Sequence, residues 1–200
     1  MSFAVLGWPG DGPTLSLDHE RFSYAGKFVM SSTGKAVVLS DADAAITDDK
    51  RDDDSDAVLG AVAFNEDRTD AETLWFRYVT VRADRRGEGL GPRLLRWTVE
   101  RATSRGYERV RIAVNNPFAY EAAWKAGFGY TGEQTGIAEL VMEHPPESAL
   151  GRHDAGNRVE QYRDGLRTYR GRDVLSDAER EFVAARLDAA PPEPIELDES

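Results

Sequence analysis

Apolar positions along this chain repeat with two different periods. Between residues 92 and 105, Leu94, Leu95, Thr98, Val99 and Ala102 recur every three or four positions, while Arg93, Arg96 and Arg101 fall off that stripe. The spacing predicts an amphipathic helix, and Gly106 stands where a C-terminal stop belongs. Val110, Ile112 and Val114 alternate and predict a strand. Asn116-Pro117 then opens a second helix that ends at Gly127, because Asn is a favoured N-cap and proline at the first helical position gives up no needed donor. Short apolar runs at 35–40, 57–64, 74–81, 128–131 and 137–142 predict further strands, with turn-forming residues 65–70 and 132–136 between neighbours.

Nearer the N-terminus, Leu15 and Leu17 predict a short first strand, and Asp18 reads as the cap of a short helix through Arg21, Phe22 and Tyr24. Residues 41–56 are dominated by acid and predict a solvated loop, with Asp52, Asp53 and Asp54 as a weak candidate cation site. The order strand, helix, strand, helix, strand, strand predicts an α/β fold, a mixed central sheet flanked by helices.

Pro145-Pro146 marks a boundary. Beyond it, Val159, Tyr162, Leu166 and Tyr169 share a helical face, and Ser176-Asp177-Ala178-Glu179 is a capping box ahead of Phe182, Val183 and Leu187. The organisation predicted is therefore a core over 1–143, a helical extension over 144–190 that covers one face or mediates homodimerisation, and a disordered acidic tail over 191–200.

Composition narrows the chemistry. The 200 residues contain no cysteine, which removes disulfides, thiolate metal sites and an acyl-cysteine intermediate. Asp plus Glu number 36 against 25 Lys plus Arg, and a net charge of -11 argues against non-specific nucleic-acid binding. Only 4 of the cations are lysine, beside 21 arginines. An acidic, lysine-poor surface suits a salt-rich cytoplasm or simply reflects a GC-rich genome. Without a basic stretch before an apolar run, and without a segment of the ~20 apolar residues a bilayer crossing needs, the expectation is a cytoplasmic protein with no membrane partner. His19, His144 and His153 are far apart and show no metal spacing, so no metal is expected.

The strand ending at Val81 leads through a polar turn into Gly87, Gly89 and Gly91, and a helix begins at Pro92. Glycines admit close backbone approach and positive φ, and free N–H groups at a helix start point at an anion. From residue 77 to 96, six arginines (77, 82, 85, 86, 93 and 96) face only Asp84 and Glu88. A pyrophosphate is the natural occupant. A Walker loop is excluded, since Gly26-Lys27 and Gly34-Lys35 are followed by Phe28 and Ala36, and the spacing G-x-G-x-G is not the dinucleotide fingerprint G-x-G-x-x-G. What remains is R-x-x-G-x-G at Arg86, Gly89 and Gly91.

The segment from Tyr78-Val79-Thr80-Val81 to Leu95 resembles motif A of the GNAT (Gcn5-related) N-acetyltransferase superfamily. Asn116-Pro117-Phe118-Ala119, followed by Lys125-Ala126-Gly127-Phe128, resembles the family's N-x-x-A helix ending in Gly-Phe. The likeness covers roughly residues 57–142, is vague before Gly34 and vanishes after Pro145. It implies an N-acetyltransferase using acetyl-CoA as cosubstrate. Backbone at Val79 and Val81 would then pair with the pantetheine arm, and Arg86, Gly87, Glu88, Gly89, Leu90, Gly91 and Pro92 would cradle the pyrophosphate. Asn116 would contact the cofactor where two strands splay.

The reaction implied is direct attack on the thioester by an amine of a small molecule or peptide, helped by a base and an acid. Family members often place a tyrosine acid four residues before the glycine of Gly-Phe, which here is Ala123. Tyr120, one turn earlier, is the substitute candidate, weighed against a half-buried core role. Glu72, Glu133 and Glu139 are candidate bases, and Trp75, Phe76 and Tyr78 are candidate linings for an acceptor pocket. Two rival readings stand beside the enzyme: a non-catalytic acyl-CoA-binding module, motivated by Ala123, and a nucleotide-binding protein using the same loop.

Overall fold

The computed structural model describes residues 1–40, 57–146 and 158–197, which divide into two compact units, 1–108 and 109–200. The acidic run expected to form a loop at 41–56, with its candidate cation site, lies outside the described residues.

The first unit contains strands β1 (Ser2–Gly7), β2 (Gly34–Leu39), β3 (Val58–Glu66) and β4 (Thr73–Val81), each antiparallel to the next. Helix α1 (Leu90–Ser104) packs against the strands with Leu94, Leu95, Thr98, Val99 and Ala102, the stripe its spacing predicts. The remaining face of the sheet is covered by residues 15–28, whose Leu15, Leu17, Phe22, Ala25 and Phe28 form one buried cluster with Val37, Leu39, Ala61 and Ala63. A strand covered on both faces has no need to alternate, which is why β2 and most of β3 are buried without interruption. Each fully buried Val or Leu here stabilises the fold by about 1.5 to 3 kcal/mol.

Two N-terminal expectations are corrected. The first strand is β1, paired with β2 through Phe3↔Val38, whereas Leu15 and Leu17 lie outside any strand. Asp18 begins no helix beyond a single turn: its carbonyl accepts from Phe22 N–H at 2.9 Å and its side chain from Glu20 N–H at 2.8 Å.

One charge lies inside this unit. The Lys35 ammonium is fully buried and donates to the carbonyls of Pro13 (2.7 Å), Met30 (2.7 Å) and Thr33 (2.9 Å) and to Thr33 Oγ1 (3.0 Å). It thereby ties both ends of the covering segment to β2. Burial lowers its pKa to about 8.

The second unit contains β5 (Arg109–Val114), α2 (Pro117–Lys125), β6 (Gly129–Gln134), β7 (Leu140–His144), α3 (Arg158–Arg170) and α4 (Asp177–Leu187). Strand β7 lies between β5 and β6 and runs antiparallel to both. It starts at Leu140 rather than 137, because Ile137 is 79% exposed and Ala138 adopts φ 63°. Tyr162, Leu166 and Tyr169 of α3 are buried within this unit, against α2 and β6, so the apolar face expected of the extension is covered by its own chain. Gly165 permits the approach, since a Cβ there would stand 2.4 Å from the Tyr120 ring.

Helix α4 opens on the expected capping box, Ser176 with Glu179, and is held to α2 by a buried carboxylate. Glu121 accepts from Lys125 Nζ at 2.7 Å, from Tyr162 Oη at 3.1 Å and from Arg186. Burial alone would raise its pKa, but the bonds from Arg186 and Lys125 outweigh that and leave it lowered. The tail also differs from expectation over its described residues. Trp124 Nε1 donates to the Pro192 carbonyl at 3.0 Å, and Ile195 N–H donates to the Lys125 carbonyl at 2.8 Å, so 191–197 are attached to α2.

Candidate functional site

The candidate anion loop follows β4. Val79 and Val81 sit half-buried near the end of that strand, opposite Val62 and Gly60 of β3. One short turn at Ala83–Arg85 carries the chain to Arg86, whose backbone is extended. Gly87 (φ 85°) and Gly89 (φ 77°) are both left-handed, a conformation other residues adopt at a cost of about 1 to 2 kcal/mol. A Cβ at either glycine would meet nothing within 4 Å, so backbone angle and not crowding requires them.

Helix α1 starts at Leu90, two residues before the predicted Pro92, with Gly89 as its N-cap and no side chain capping it. Glycine has no side-chain oxygen to accept from the first-turn amides, and Pro92 lacks an N–H where no intrahelical acceptor exists. Leu90 is buried and fixes the first turn, while Gly91 lies beside Val81, with 3.7 Å separating an added Cβ from Cγ2 of that valine. The loop therefore presents backbone donors at the positive end of a helix dipole.

The local charges are sorted by pairing. Arg82 binds Asp84 at 2.8 Å, and Arg85 binds Glu88 at 2.8 Å. Those bonds pull the carboxyl pKa of both acids down, so the negative charge of Glu88 is held by its own arginine. Arg86 differs. It donates to two uncharged oxygens, Val81 O at 3.3 Å through Nε and Ser23 Oγ at 2.9 Å through Nη2. Ser23 is a residue that sequence reasoning missed, since a single serine in a polar turn carries no signal of its own.

Other expected residues of this unit fall elsewhere. Glu72 immediately precedes β4, at the opposite end of that strand from Val81 and on the order of 30 Å away at a strand's rise per residue. Phe76 is a core residue against Phe64, and Trp75 donates to Asp67 at 2.7 Å beneath the guanidinium of Arg77. Tyr78 is half-buried beside Tyr24, with the Lys27 ammonium 5.7 Å from its ring centre.

In the second unit, Asn116 is the N-cap of α2: its Oδ1 accepts from Ala119 N–H at 2.9 Å. Tyr120 is corrected as a candidate acid. It is fully buried, and its hydroxyl faces the α3 carbonyls of Tyr162 (3.0 Å) and Gln161 (3.3 Å). Burial raises its pKa well above 10, with the neighbouring Tyr162, Tyr169 and Tyr130 adding to the effect. Tyr120 and Ala123 are both buried on α2, and α3 covers Tyr120. Glu133 and Glu139 belong to the β6–β7 hairpin, where Thr135 Oγ1 lies 3.4 Å from Glu139. Among the described residues no group of three or more His, Cys, Asp or Glu could hold a metal ion, and no helix is long and apolar enough to cross a membrane.

The sequence profile of the acetyltransferase (GNAT) family matches residues 20–128, more than half of the chain. The chain belongs to that family. No curated protein matches it in sequence. Among solved structures it is similar to Tetrahymena GCN5 (15% identity, TM-score 0.48, covering 72% of this chain and 94% of that one). It is also similar to an N-acetyltransferase from Staphylococcus aureus Mu50 (18%, 0.43, covering 56% and 66%). A third is the PaiA N-acetyltransferase of Thermoplasma acidophilum, solved with coenzyme A (16%, 0.41, covering 55% and 58%). The likeness thus spans less than two thirds of the length of the last two.

Proposed function

We propose that this protein is an acyl-CoA-dependent N-acetyltransferase that moves an acetyl group from acetyl-CoA to a primary amine on a small molecule or peptide, by direct attack in a ternary complex. The observation that carries the reading is the uncapped start of α1. Two left-handed glycines precede it and Arg86 stands beside it, in a chain of an acetyltransferase family. In this reading the amides of residues 87–91 and the guanidinium of Arg86 hold the diphosphate, and Val79 and Val81 lend main chain to the pantetheine arm. In the second unit the Asn116 side chain is committed to capping α2.

The cosubstrate supplies a thioester carbonyl. An alkyl amine with pKa about 10.4 must lose a proton before it attacks. The new C–N bond forms as the C–S bond breaks, and the departing sulfur carries away an electron pair that a proton balances. Tyr120 is not assigned to that protonation, since its hydroxyl is enclosed by α3. Calorimetry with acetyl-CoA, followed by mass spectrometry of acetyl transfer across a panel of amines, tests the reading; saturable binding and turnover are expected. Absence of binding at any ionic strength where the protein is folded refutes it. Binding without turnover on any amine favours the second reading, a non-catalytic acyl-CoA-binding module, which Ala123 and the closed-off Tyr120 support.

A further inference from the structure

We infer that Ser23 is a positioning residue for the diphosphate, acting through Arg86, an inference that rests on the diphosphate reading above. The Ser23 hydroxyl accepts from Arg86 Nη2 at 2.9 Å while Val81 O accepts from Nε at 3.3 Å. A guanidinium carries five N–H donors in a rigid fork, and Nη1 takes part in neither bond. Both acceptors are uncharged, so these contacts fix the side chain without cancelling its charge. Arg82 and Arg85, by contrast, are bound to Asp84 and Glu88. An arginine side chain is long and carries large rotamer entropy. Holding it in place before an anion arrives removes part of that cost from binding.

Ser23 is itself fixed relative to the loop. Two residues earlier, the Arg21 carbonyl accepts from Ala83 N–H at 2.9 Å, which ties the segment to the turn between β4 and Arg86. One residue later, Tyr24 adopts φ 62°, a left-handed conformation that a bulky side chain rarely takes and that persists only where surroundings impose it. Its ring contacts Tyr78, the residue before Val79, at 6.1 Å between centroids. Lys35 pins the segment further out through Pro13, Met30 and Thr33. The serine is thus presented to Arg86 by a strained turn held on both sides.

Calorimetry on the full chain tests this. Ser23→Ala should weaken coenzyme A binding roughly five- to ten-fold, the scale of one charge-assisted hydrogen bond partly spent on positioning. Ser23→Thr, which keeps the hydroxyl, should restore it. Acetyl-pantetheine, which lacks the diphosphate, should bind Ser23→Ala and wild type alike in competition experiments. In an Arg86→Ala background, Ser23→Ala should have no further effect. Wild-type affinity for coenzyme A in Ser23→Ala overturns the inference, as does an equal loss for both ligands or a loss that persists without Arg86. Failure of the wild type to bind coenzyme A would instead overturn the diphosphate reading, so the two failures are distinguishable.

Discussion

Raising the pH from 8 to 9.5 should make this protein more stable, and Lys35 is the reason. Its ammonium is buried among four uncharged oxygens, and its pKa falls from the ordinary 10.5 to about 8. Between those two values the unfolded chain holds a proton that the folded chain has released, so stability rises with pH. The gain is complete above 10.5 and is lost as pH falls through 8. A shift of that size corresponds to about 3 kcal/mol over the whole range, at 1.36 kcal/mol per pH unit. About half of it, on the order of 1 to 2 kcal/mol, should appear between pH 8 and 9.5.

The window must stop there. Burial raises the pKa of Tyr107, to about 12, and that of Tyr120, so their contribution to stability is lost once the unfolded chain's tyrosines ionise near 10. Urea midpoints at several pH values would measure the slope, with Lys35→Met, similar in length but without charge, as the control. The reasoning is refuted if wild-type stability is flat or falls across this window, or if Lys35→Met shows the same rise. Because Lys35 anchors the segment that carries Ser23, the experiment also reports on the support of the anion loop.

Two further predictions follow from the geometry. Tyr120→Phe should lower stability by about 0.5 to 1.5 kcal/mol, the worth of one buried hydrogen bond to α3 carbonyls that keep their intrahelical donors, yet leave kcat unchanged; a large fall in kcat with the fold intact would restore Tyr120 as the acid. Gly89→Ala should cost about 1 to 2 kcal/mol in denaturant titration, from backbone strain alone, and weaken coenzyme A binding measured by calorimetry; unchanged stability would show that its left-handed angle is not required.

The parts of the fold legible in the sequence are those written in local chemistry. The stripe of α1, the Asn116-Pro117 start of α2 and the Ser176–Glu179 capping box all came through, because each depends on residues within a few positions of one another. β1 did not, although Phe3-Ala4-Val5-Leu6 is a short apolar run like those of the other strands, since the residues it pairs with lie 28 to 37 positions later in the chain. Leu15 and Leu17 were rightly apolar but serve as cover for the sheet instead of joining it. The glycine loop was readable for the same reason as α1. Ser23 was not, because its meaning lies in an arginine 63 positions later, and Tyr120 misled because helical phase says which face a residue takes but not what lies upon it.

The match to the family profile stops at Phe128, whereas the groups that close over α2 come from Gln161, Tyr162, Tyr169, Arg186 and Pro192. A chain trimmed back to residue 143 would therefore keep both signatures but expose apolar surface: Tyr120 and Trp124 would face water, and Glu121 would surrender two of its partners. The helices α3 and α4 thus supply part of the core of their own unit, and a shortened chain should be expected to aggregate unless they come with it.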